Sequence, residues 1–152
     1  MPKRADVSLL FDFFVTAQRL KRTLSEALAG SGMKPDEYAV YSLLFDHGPL
    51  TATEMAEYLA MPLTTLLDYL KAMGAAGHLS RTRHPDDGRA RQLRLSRSGV
   101  AAHVRAHRHW EVMRRQIEDG LSIPIGRVRL ALRAIDDSAA TASAELTRPR
   151  TA

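Results

Sequence analysis

Arg81, Arg83, Arg89, Arg91, Arg94 and Arg97 crowd one short stretch of the chain, with the turn-forming run His84-Pro85-Asp86-Asp87-Gly88 in their midst. Each guanidinium carries a fixed charge and a fork of donors, the chemistry that recognises phosphate. Arg89 directly follows the turn, and an arginine on a protruding tip suits the narrow, negative minor groove of DNA. Asp87, two residues earlier, can orient that guanidinium through a charge-assisted bond. A solvated charged loop has the same composition, so the arginines gain meaning only from the elements that carry them.

A second set lies upstream. Periodicity predicts a helix over about 63–76, with Leu63, Leu66, Leu70 and Met73 on its core face and Thr64, Asp68 and Lys71 opposite. Thr64 and Thr65 stand near its N-terminal end, where hydroxyls can bond base edges or phosphates and the helix dipole favours phosphate. Lys71 can meet a phosphate. Asp68 repels phosphate but can accept from a cytosine amino group.

A third set is His103 and His107, four residues apart and so on one helix face. Such a pair can bind zinc if a third ligand comes from elsewhere, or it can be two imidazoles at a pocket or dimer surface that titrate near neutrality. Arg105 and Arg108 beside them disfavour a metal. The glutamate placement of the metalloprotease motif is missing, as are a nucleophile elbow and a glycine-rich phosphate loop. The chain has no cysteine, which excludes disulfides, thiolate metal sites and thiol redox sensing. These absences predict a protein that is not an enzyme and uses no cofactor or metal.

The elements that must position these residues are legible from breakers and periodicity. A first helix is predicted over about 7–29, with Val7, Leu10, Phe14, Ala17, Leu24 and Leu28 in one stripe and Leu9, Phe13 and Leu20 in another beside it. Pro35 opens a second helix to about Asp46, with Asp36 and Glu37 at its positive end. Thr51 and Glu54 have capping-box spacing and start a short third helix. Pro62 precedes the helix of Thr64 and Lys71, and Gly77 ends it; two short helices joined by a tight turn form a helix-turn-helix. Leu79–Arg83 and Arg91–Ser96 read as the strands of a β-hairpin. Ser96 or Ser98 caps a long helix over about 98–119, with Val100, Val104, Trp110, Met113 and Ile117 as its apolar positions. After Pro124, Ile125, Val128, Leu132, Ile135, Ala139, Ala142 and Leu146 alternate three- and four-residue steps, a coiled-coil-like seam. Both the wide arc of the first helix and the seam of the last call for more partner surface than one chain offers.

At 152 residues the chain is long enough for one domain with a substantial core, and its 45% apolar and 26% charged residues are ordinary globular usage. A net charge of +5 and a pI near 10.0 favour a polyanionic partner. No signal peptide or membrane-length apolar run is legible, so a cytoplasmic protein without a membrane partner is expected. The densest cations lie in a hairpin rather than along a helix face, which counts against a membrane-surface binder.

A helix-turn-helix followed at once by a basic hairpin is a winged helix, whose second helix enters the major groove. The stretch Leu79-Ser80-Arg81-Thr82-Arg83-His84-Pro85-Asp86-Asp87-Gly88-Arg89, followed by Leu93-Arg94-Leu95-Ser96 and Gly99, resembles the wing signature of the MarR family of transcriptional regulators. Leu59-Ala60-Met61-Pro62-Leu63-Thr64-Thr65 is similar to that family's turn and recognition-helix start, and Gly77 to its helix-closing glycine. Asp68 and His78 depart from the family pattern.

The resemblance implies a mainly α fold with a small β-hairpin wing. It implies a single domain over 1–152, with the winged helix-turn-helix at about 35–97 and dimerisation helices at about 7–30 and 98–146. It further implies a homodimer on a pseudo-palindromic operator in double-stranded DNA, acting as a repressor released by a small molecule, often aromatic or phenolic in such regulators. The residues expected at DNA are Thr64, Thr65, Asp68, Lys71, Arg81, Arg83, Asp87, Arg89 and Arg91. Two other readings stay open here: a small-molecule-binding dimer without DNA binding, which Asp68 keeps in play, and a zinc-dependent protein using His103 and His107.

Overall fold

A computed structural model of the chain describes residues 8–83 and 91–147. They form two compact units, up to Met113 and from Arg114 onward.

The first unit begins with α1 (Leu9–Leu28), whose N-terminus is capped by Ser8 accepting from the Phe11 N–H at 3.1 Å. A short 3-10 turn (Ala29–Ser31) leads to α2 (Pro35–His47), which has proline at its first position as the sequence predicts. α3 (Ala52–Tyr58) opens on the expected capping box: Thr51 Oγ1 accepts from the Glu54 N–H at 3.3 Å, and Glu54 Oε2 accepts from the Thr51 N–H at 2.7 Å. The turn into α4 (Leu63–Ala75) passes through Ala60 at φ +48, closed by the Met61 N–H on the Ala56 carbonyl at 3.0 Å. α4 ends the same way, with Gly77 at φ +71 and the His78 N–H on the Met73 carbonyl at 2.9 Å.

The hairpin pairs β1 (Leu79–Arg83) with β2 (Arg91–Leu95) in antiparallel register, Leu79 opposite Leu95 and Arg83 opposite Arg91. Sequence reading missed a third participant. Leu50 bridges to Leu93 through both backbone bonds, 3.0 and 2.7 Å, and so ties the start of the helix-turn-helix to the hairpin. A single extended residue has no period, which is why no pattern announced it.

The core gathers Val40, Leu43 and Leu44 of α2, Met55 of α3, Leu66, Leu70 and Met73 of α4, and Leu93 and Leu95 of β2. A smaller cluster joins Leu28, Tyr38 and Ala106, the last from α5 (Arg97–Asp119). Two expectations are corrected. Leu63 is 43% exposed, not on the core face. A helical side chain lies over the turn N-terminal to its own Cα; at the first residue of α4 there is no such turn, so burial starts at Leu66. On α5, Val100 and Val104 are exposed, and Gly99, Ala102, His103 and Ala106 face inward. The backbone of α5 comes in so close at Gly99 that small residues take the core positions.

The second unit holds the last turns of α5 and α6 (Ile125–Thr147). Glu118 takes a charge-assisted bond from Arg114 and lies 3.8 Å from Arg129. No residue of α6 is buried, so the seam of Ile125, Leu132 and Leu146 lies open in this single chain. Among the described residues, no helix is long and apolar enough to cross a membrane.

Candidate nucleic-acid interface

Strand alternation sorts the hairpin into two faces. Leu79, Arg81 and Arg83 share one face with their partners Leu95, Leu93 and Arg91. That face is apolar at its base, where Leu93 and Leu95 join the core, and cationic farther out. Arg83 and Arg91 stand directly opposite each other, a like-charge pair that costs folding stability and that a polyanion would relieve.

Between this face and α4 lies a groove of about 700 Å³, to which, among the described residues, Lys71, Arg81 and Arg91 contribute and no carboxylate does. Thr51 and Thr53 also line it; the capping-box role of Thr51 is legible in the sequence, whereas Thr53 and the place of both beside the wing are not. Thr64, Thr65 and Asp68 lie on the exposed face of α4 outside the groove, and Arg83 is exposed on β1. Asp87 and Arg89 lie outside the described residues, as does the turn that carries them.

The base of the wing is clamped. Ser96 and Ser98 both donate to the Gly77 carbonyl, at 2.7 and 2.8 Å, and Ser96 Oγ accepts from the Gly99 N–H at 3.1 Å, so Ser96 is the residue that caps α5. The Ser96 N–H bonds the His78 carbonyl at 2.9 Å, and the His78 ring meets the Tyr41 hydroxyl at 2.6 Å. His78, polar where the resembled pattern is apolar, is thus held by a tyrosine of α2.

His103 and His107 lie apart from this groove, at a cleft of about 480 Å³ between α2 and α5. His103 is buried between the Phe45 and Tyr38 rings, at centroid distances of 4.5 and 5.5 Å, and its Nε2 meets Ser42 Oγ at 3.1 Å. The Tyr38 hydroxyl meets His107 Nδ1 at 2.8 Å. Among the described residues, no group of three or more metal-ligand side chains comes together. Burial pushes the His103 pKa down, the neighbouring His107 adds to this, and Asp46 opposes it. An unfolded histidine takes its proton near pH 6.5, so on acidification the unfolded chain is protonated before the folded one and stability falls. We expect the urea midpoint to drop as pH falls below about 6.5, and His103→Gln to make that drop shallower. An equally steep drop in the variant would assign the effect to other groups.

No protein-family profile matches the sequence, and no curated protein does. Solved structures do match. A probable transcriptional regulator from Pseudomonas aeruginosa superimposes with a TM-score of 0.75 at 24% identity, over 86% of this chain and 98% of that one. A MarR variant from E. coli, complexed with operator DNA, gives 0.75 at 18% identity, over 85% and 94%. The fold is the MarR-type winged helix. The PcaV transcriptional regulator from Streptomyces coelicolor, in complex with its natural ligand, gives 0.71 at 24% identity, over 89% and 99%. The first and third of these similar structures are described as transcriptional regulators, and the second is bound to operator DNA. Within the MarR-type fold, the α3–α4 pair of this chain is the helix-turn-helix and β1–β2 its wing.

Proposed function

We propose that the protein is a sequence-specific, DNA-binding transcriptional regulator that works as a homodimer and represses until a small molecule binds. The observation that carries the reading is the groove between α4 and the wing, lined among the described residues by Lys71, Arg81 and Arg91 and by no carboxylate. Cations held on a rigid strand pair and helix neutralise phosphates at little entropic cost. Thr64, Thr65 and Asp68 on the exposed side of α4 reach base edges or backbone, Arg83 extends the cationic strand, and the sequence adds Asp87 and Arg89, outside the described residues, as a further DNA-contacting pair.

The homodimer covers apolar surface that is otherwise left in water. Leu9, Leu10, Phe11, Phe13 and Phe14 of α1 are all exposed, and so, in the other unit, are Leu130, Leu132 and Leu146 of α6. Burying such faces against a twofold copy stabilises by roughly 25 cal/mol per Å² of apolar area. In this reading residues 1–152 act as one functional module, about 35–97 on DNA and about 7–30 and 98–146 at the dimer interface. The effector occupies the cleft between α2 and α5, and its binding favours a dimer whose recognition helices are wrongly spaced.

Fluorescence anisotropy on a duplex from upstream of the protein's own gene, against a scrambled duplex and over a salt series, tests this. The upstream duplex is expected to bind about 10³-fold tighter than the scrambled one, with a steep loss of affinity as salt rises. Arg89→Ala should weaken binding by about 1–3 kcal/mol. Equal weak binding to several promoter duplexes and to the scrambled one would favour instead a ligand-binding dimer without DNA recognition, the reading that exposed Asp68 supports.

A further inference from the structure

The cleft between α2 and α5 has a charge character opposite to that of the DNA-facing groove. Its walls are aromatic. Trp110 stacks on Tyr38 at 4.6 Å and 25°, Tyr38 on His103 at 5.5 Å and 17°, and His103 on Phe45 at 4.5 Å and 30°, so four rings stack in succession. Tyr58, from the end of α3, lines it as well. Among the described residues no lysine or arginine lines this cleft, while the carboxylate of Asp46 does. No ion pair to Asp46 occurs among the described residues. Its field reaches the interior: after desolvation and the opposing Ser42 hydrogen bond, Asp46 and Glu111 both push the Tyr38 hydroxyl pKa up, and Asp46 opposes the fall at His103. One buried polar atom, His103 Nδ1, has no hydrogen-bond partner.

We propose that the ligand of this cleft is a flat organic cation, an aromatic body carrying a quaternary or protonated nitrogen, and that aromatic carboxylates are excluded. The inference rests on the effector reading given above and adds to it the sign of the ligand's charge. Ring faces carry negative quadrupole potential and attract cations, most strongly when desolvated. A carboxylate entering the same space would meet Asp46 and, among the described residues, no arginine or lysine, and would lose hydration without replacement. A cleft of this volume, largely apolar with a few polar groups, is the size that takes a small organic ligand. Among the described residues, the imidazoles of His47, His103 and His107 are the groups lining it that can become cationic. His103 and His107 face Tyr38, Ser42 and Asp46 of α2, Tyr58 of α3 and Glu111 of α5. Working at pH 8, well above the ordinary imidazole pKa of about 6.5, isolates the Asp46 charge.

The test compares three flat bicyclic probes on the full-length protein at pH 8: N-methylquinolinium, neutral quinoline and 1-naphthoate. Calorimetry gives the affinities, and quenching of Trp110, the protein's single tryptophan, places the bound probe in the cleft. N-methylquinolinium is expected to bind at least about tenfold tighter than 1-naphthoate. Asp46→Asn should weaken the cation about fivefold and leave quinoline unchanged. Operator release is read in parallel. Cation binding without release keeps the ligand class and removes the effector reading. Naphthoate binding and releasing DNA while the cation does neither overturns the ligand class and keeps the effector reading. No binding of any probe, or a cation affinity indifferent to Asp46→Asn, overturns the proposal.

Discussion

Gly99→Ala is expected to destabilise the folded protein by about 2 kcal/mol, seen as a lower urea midpoint with an unchanged slope. A β-carbon at Gly99 would sit 2.3 Å from the His78 carbonyl oxygen, 3.1 Å from its carbon and 3.2 Å from the His78 Cα. All three are backbone atoms, so no side chain can swing aside. Relief requires the first turn of α5 to move off the start of β1, which strains the Ser96 N–H bond to His78 and the two serine bonds to Gly77. Against this, alanine in a helix gains about 1 kcal/mol over glycine, which keeps the net cost near the middle of the range for overpacking. Gly126→Ala in α6 is the matched control: a β-carbon there meets nothing within 4 Å, so only the gain remains and stability should rise by about 0.5–1 kcal/mol. If Gly99→Ala also raised stability, the close approach of α5 to His78 would be wrong, and with it the account of how the wing is anchored.

Gly99 also shows what a sequence can and cannot carry. Its spacing after Leu93, Leu95 and Ser96 marked a motif, but the reason for the glycine is a contact with a residue twenty-one positions earlier, which no local pattern holds. The elements themselves were legible because their signals are local: proline at the start of α2, the Thr51–Glu54 box of α3, Gly77 after α4 and the alternation in β2. Failures came where tertiary geometry overrides periodicity. Leu63 has the period of a core residue but no turn beneath it, and Val100 and Val104 yield the inner face of α5 to Ala102, His103 and Ala106. Of the residues expected at DNA, the fold gathers Lys71, Arg81 and Arg91 around one groove. The pairing of Arg81 with Leu93 sets that grouping, and register is not written in either strand alone. His103 and His107 were correctly placed on one helix face; that Tyr38, Phe45 and Trp110 stack around them depends on the packing of α2 against α5.

Joint replacement of Arg81 and Arg91 by alanine should lower operator affinity about 10⁴-fold at 0.1 M salt, at roughly 1.4 kcal/mol for each of the four cations lost from the dimer. Each phosphate neutralised contributes about −0.9 to the slope of log K against log salt. Two cations in each of two protomers therefore predict a slope shallower by about 3.6. The loss should be nearly uniform across sequences, because these side chains would neutralise backbone rather than read bases. Folding should move the other way. Arg91 stands opposite Arg83 in the register, and removing one of two facing cations relieves a repulsion of a few tenths of a kcal/mol or more. A variant that is as stable as the parent or more so, yet binds DNA far more weakly with a flattened salt slope, would mark the pair as retained for the nucleic acid at the expense of the fold. An unchanged slope would show instead that the groove between α4 and the wing meets no phosphate, and that contact with DNA runs through the exposed face of α4 and the wing tip alone.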